Sequence, residues 1–91
     1  MKKVAVLLFV LILSLSATAF AAYNGQTFYV VNCRESITLR EDPSVYSAEI
    51  TQIPLGAAVT FLDNAGNGFY RINYDGLIGF ALASYLAPSS Y

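Results

Sequence analysis

Between Thr27 and Leu86 apolar and polar residues alternate in short runs, and each run ends on residues that favour turns. Thr27 to Val31 (TFYVV) is aromatic and β-branched and predicts a first strand. Asn32 to Ser36 is polar and predicts a loop or bulge. Ile37-Thr38-Leu39-Arg40 alternates, with Ile37 and Leu39 facing inward. Glu41-Asp42-Pro43-Ser44 is a turn, because proline presets one backbone angle and aspartate accepts local hydrogen bonds. Ser47 to Ile53 suits a strand with a bulge or a short helical turn. Pro54-Leu55-Gly56 punctuates, and Ala57 to Leu62 alternates again with Val59 and Phe61 on one face. Asp63 to Gly68 reads as a loop, since its residues prefer turns or positive φ. Phe69 to Tyr74 and Leu77 to Ala81 flank Asp75-Gly76, a strong hairpin signal. Ala83 to Leu86 suits one 3₁₀ turn.

Short strands joined by turns predict an all-β fold, a small barrel of five to six short antiparallel strands. Its expected core is Ile37, Leu39, Ile50, Ile53, Val59, Phe61, Ile72, Ala81 and Leu86, with Phe28 packed on it.

The start of the chain has a different character. Met1-Lys2-Lys3 is basic, Val4 to Leu15 is apolar but for Ser14, and Ala19-Phe20-Ala21 supplies small residues. That order predicts a secretory signal peptide over residues 1–21, cleaved after Ala21 with Ala19 as the second choice. The apolar run is short of the roughly 20 residues that span a bilayer, so no stable membrane insertion is expected after cleavage. Residues 22–26 form a short linker, 27–88 the barrel and 89–91 a frayed end. The expected location is outside the cell or in the bacterial envelope.

Both lysines fall in the leader, so the chain beyond it carries three arginines against six carboxylates, a net charge of −3. Nucleic acid and anionic lipid both require a basic footprint and are poor partners for it. The 91 residues contain no histidine, which removes the usual base of Ser–His and Cys–His pairs and the commonest zinc ligand. The carboxylates sit in turns, with no pair spaced as an acid and base couple. Asp63 to Gly68 superficially resembles a calcium loop, but Ala65 and Tyr74 stand where ligands are needed. No catalytic residue, cofactor or metal is expected. Cys33 is the single cysteine, so no intrachain disulfide can form. It reads either as a half-buried apolar thiol or as the tether of a Cys33-linked dimer.

Ile37-Thr38-Leu39-Arg40, Pro43-Ser44, Gly56, Gly68-Phe69-Tyr70-Arg71-Ile72, Asp75-Gly76, Gly79-Phe80 and Ser84-Tyr85-Leu86 together resemble the bacterial Src-homology-3 domain, from about Thr27 to Pro88. Phe69 replaces the family's usual tryptophan. Leu82 replaces the proline of the eukaryotic peptide-binding relatives, so a proline-rich groove is not carried over. The resemblance implies an SH3-like barrel and a stand-alone, non-enzymatic module for cell-wall recognition. The aromatic residues indicate where such a module would bind: a groove floored by Phe69 and Tyr85, with Tyr46 at its edge. Rings with polar tips bind sugars and peptides through their faces and hydroxyls. Glu41, Asp42 and Arg71 would select charged groups on the ligand. The expected partner is peptidoglycan or its stem peptide. The alternative is an exported or surface protein on which the module docks or which it inhibits.

Overall fold

The computed structural model describes residues 22–89. The leader therefore lies outside the described residues. Seven strands follow in order: β1 (Thr27–Val30), β2 (Ser36–Arg40), β3 (Glu49–Pro54), β4 (Ala58–Gly66), β5 (Phe69–Tyr74), β6 (Leu77–Leu82) and β7 (Leu86–Ala87). A 3₁₀ turn, Ala83–Tyr85, sits between β6 and β7. The strands form one antiparallel sheet in the order β3-β2-β6-β5-β4-β1-β7.

Alternation along each strand turns one side chain in two toward the inside. Phe28 and Val30, Ile37 and Leu39, Ile53, Val59 and Phe61, Ile72, Ala81 and Leu86 come from all seven strands and form one cluster. No helical layer covers the sheet among the described residues, so the sheet must curl on itself to bury that face. Tyr70 closes one side, its ring edge-on to Phe28 at 5.7 Å and to Phe61 at 4.9 Å. Among the described residues, every strand and the buried cluster lie between residues 27 and 87.

Four expectations change. The stretch from Asp63 to Gly68 is strand as far as Gly66, and the turn shrinks to Asn67-Gly68. Register shifts between Phe61 and Asp63 and between Asn64 and Gly66 absorb the turn-forming residues as bulges, and Asn64 Oδ1 accepts the Gly66 N–H at 3.0 Å. Ile50 is half-buried rather than fully buried: the register shift between Leu39 and Arg40 leaves it unpaired at a bulge in β3, while Ile53 on the same strand is fully buried. The buried set also gains Val30 and Phe69. The strand count reaches seven through the two-residue β7, which pairs Leu86 with Val30 and Ala87 with Tyr29.

The Asp75-Gly76 hairpin forms as the sequence predicts. Asp75 (φ 53°) and Gly76 (φ 88°) are both left-handed, the type I′ geometry whose twist matches flanking strands. Asn67 (φ 56°) and Gly68 (φ 80°) repeat it between β4 and β5.

Candidate functional site

Strands β2 and β6 meet through one aligned pair, Arg40 and Phe80. From that junction toward Ser36 they diverge, and the gap is a groove of about 500 Å³. That volume suits a small ligand or a short peptide segment. Alternation explains its walls. Because Ile37 and Leu39 point into the core, Ser36, Thr38 and Arg40 point out of β2 together and form one wall. Phe69, Leu82 and Tyr85 form the apolar floor and opposite side, with Asn32, Cys33 and Arg34 of the β1–β2 loop at the far end.

Phe69 is only 3 % exposed, yet it stands apart from the core cluster. On β5 it opposes Leu82 of β6, and both residues line the groove. Tyr85 is half-buried, with one flank on the core and the other on the groove.

The far end is stapled. Val31 N–H donates to the Tyr85 carbonyl at 2.8 Å, and Asn32 Nδ2 donates to the Ser84 carbonyl at 3.1 Å. Asn32 adopts φ 59° at this staple. The wall is also organised: Ser36 Oγ donates to Gln52 Oε1 at 2.8 Å, and Gln52 Nε2 donates to Thr38 Oγ1 at 2.9 Å. Arg40 Nη1 donates to the Ser47 carbonyl at 2.9 Å, which fixes the guanidinium at the narrow end. A site held in shape before binding loses less entropy when occupied.

Of the six residues that the sequence singles out, the structure brings Phe69 and Tyr85 together on this groove. The other four lie off its lining. Tyr46 stands 94 % exposed on the β2–β3 loop, beside exposed Glu41 and Asp42. That loop is stitched internally, with Ser47 Oγ 2.8 Å from the Ser44 carbonyl and 2.9 Å from the Asp42 carbonyl. Arg71 is held by Asp63, whose Oδ2 accepts from Nε at 3.0 Å and from Nη2 at 2.8 Å. Those hydrogen bonds, and then the carboxylate charge, raise the Arg71 pKa further above its ordinary value. Cys33 is a free, half-buried thiol that packs on the core and borders the groove.

Sequence reasoning missed Arg34, Ser36, Thr38, Arg40 and Leu82. The signal for three of them was present, since inward Ile37 and Leu39 force 36, 38 and 40 onto a common outer face. The divergence of β2 from β6, which makes that face a wall, depends on pairing between distant segments.

The sequence model of the family described as Bacterial SH3 domain matches residues 35–87, more than half of the chain. The chain belongs to the bacterial SH3 domain family. The matched span holds Arg40, Phe69, Leu82 and Tyr85, while Asn32, Cys33 and Arg34 of this SH3 domain lie just ahead of it. Two solved structures are similar. The NlpC2 structure from Trichomonas vaginalis is 35% identical, with a TM-score of 0.60 over 66% of this chain and 22% of that one. The NlpC1 structure from the same organism is 33% identical, with a TM-score of 0.59 over 66% of this chain and 20% of that one. The SH3 domain thus spans about a fifth of the length of either relative. No curated protein matches the chain.

Proposed function

We propose that this SH3 domain is an exported, non-enzymatic binding module that holds peptidoglycan stem peptides in the groove between β2 and β6. The observation that carries the reading is the pairing of an apolar floor (Phe69, Leu82, Tyr85) with a polar wall (Ser36, Thr38, Arg40) in one preorganised cleft. The half-buried Tyr85 ring gives a ligand contact area at low entropic cost, Phe69 supports the floor from beneath at 3 % exposure, and the polar wall fixes the ligand's orientation. The absence of histidine from the sequence speaks for binding rather than proton-transfer chemistry.

The test is sedimentation of residues 22–91 with purified peptidoglycan at low salt. Retention that Tyr85→Ala reduces at least several-fold, with circular dichroism unchanged, supports the reading. Folded wild-type protein left wholly in the supernatant contradicts it.

A further inference from the structure

We infer that the groove recognises the free C-terminal carboxylate of a short extended peptide, with Arg40 as its receptor. This rests on the reading that the groove is the ligand site, and it adds the chemistry of what enters.

Charge distribution is the first observation. Residues 22–89 hold three arginines and six carboxylates, so the domain as a whole repels anions. Two of those arginines, Arg34 and Arg40, nevertheless line one groove that no carboxylate lines. Arg71 forms the only salt bridge among the described residues, with Asp63. Glu35 and Glu41, the chain neighbours of the two groove arginines, and Glu49, the cross-strand partner of Arg40 on β3, are exposed and absent from the lining; Glu49 accepts from Gln52 Nε2 at 3.0 Å and forms no salt bridge with Arg40. A local cationic site inside an acidic surface selects anions at that point alone.

Hydrogen-bonding capacity along β2 is the second. Arg40 spends one of its five N–H donors on the Ser47 carbonyl, which aims the guanidinium and leaves the rest free. Thr38 Oγ1 already accepts from Gln52, so its own proton is available to donate. Ser36 Oγ already donates to Gln52, so its lone pairs are available to accept. The wall therefore reads cation, donor, acceptor at positions 40, 38 and 36. An extended peptide presents its carboxylate at the end and, two residues back on the same edge, an N–H and a carbonyl together, so the end can meet Arg40 while that carbonyl meets the Thr38 hydroxyl. Alternate residues of a strand are about 6.6–6.8 Å apart, the same repeat as an extended ligand.

Topology is the third. Arg40 stands where β2 and β6 join through the Arg40–Phe80 pair. A peptide lying along β2 runs out of groove there, so a chain end fits the position better than a passing side chain. Arg34, at the stapled end, adds a second positive charge to the field.

The test is NMR titration of residues 22–91 with three synthetic probes: acetyl-trialanine with a free carboxylate, its C-terminal amide, and acetyl-Ala-Glu-Ala amide. Charge-assisted hydrogen bonds of about 1.5–3 kcal/mol correspond to roughly ten- to hundredfold tighter binding of the free acid than of either amide. Arg40→Gln should abolish that preference. Arg34→Gln, at an exposed loop residue with no hydrogen bond to disturb, should reduce it and steepen no unfolding transition. Equal affinity for acid and amide, or a preference unchanged in both variants, overturns the inference. If such a result comes with peptidoglycan retention intact, the wall-binding reading survives without it. Absence of both retention and peptide binding overturns both.

Discussion

A Cβ placed on Gly79 would stand 2.6 Å from the Arg40 carbonyl oxygen and 2.8 Å from Ile50 Cδ1. Glycine at 79 lets β6 pass against the β2 backbone at the one point where the two strands pair. That contact is the hinge of the wedge from which the groove opens.

Gly79→Ala should therefore destabilise the domain by about 1–3 kcal/mol, since the nearest obstacle is backbone and cannot rotate aside. In a domain of this size each kcal/mol lowers Tm by about 4–8 °C. Thermal unfolding followed by circular dichroism checks it. An unchanged Tm would mean that β2 and β6 do not approach this closely.

Leu39 is fully buried, flanked along β2 by the outward residues of the groove wall. Leu39→Ala should cost about 2–5 kcal/mol, a large share of the stability of so small a domain. Urea unfolding should show a lower midpoint with the slope preserved.

At the β5–β6 hairpin, Gly76 holds φ 88° and Asp75 holds φ 53°. Gly76→Ala should destabilise by about 1–2 kcal/mol, the cost of left-handed backbone for an L-residue. Asp75→Asn should fall within about 0.5 kcal/mol of wild type, because asparagine tolerates that region. Both are read from urea midpoints, and neither should alter peptide binding, since the hairpin lies off the groove lining.

N-terminal sequencing of the protein recovered from the cell envelope should begin at Ala22. Ala22 packs against the core, so cleavage after Ala21 would release the new terminus at the edge of the fold. A protein that retains Met1 would contradict export by cleavage.

Much of the barrel was legible because local signals agreed with the fold. Ile37 and Leu39 alternate with polar residues, Asp75-Gly76 sits between two apolar runs, and each does in space what its pattern predicts. Asp63 to Gly68 misled because propensity cannot distinguish a loop from a bulged strand that ends in a two-residue turn. Phe69 and Tyr85 were found as aromatic residues. Arg40 was not, since its place at a junction follows from a pairing across forty residues of chain, with Phe80. Arg71, the more conspicuous arginine beside the aromatic run, is taken by Asp63 on the neighbouring strand.

The most direct measurement is a ¹H–¹⁵N titration of residues 22–91 with soluble peptidoglycan fragments that carry free stem peptides. Binding in the groove predicts shifts concentrated at Asn32 to Arg40, at Phe69 and at Leu82 to Tyr85. Shifts confined to Val45-Tyr46 or to the Leu77-Ile78 hairpin tip, or none at saturating ligand, would contradict it.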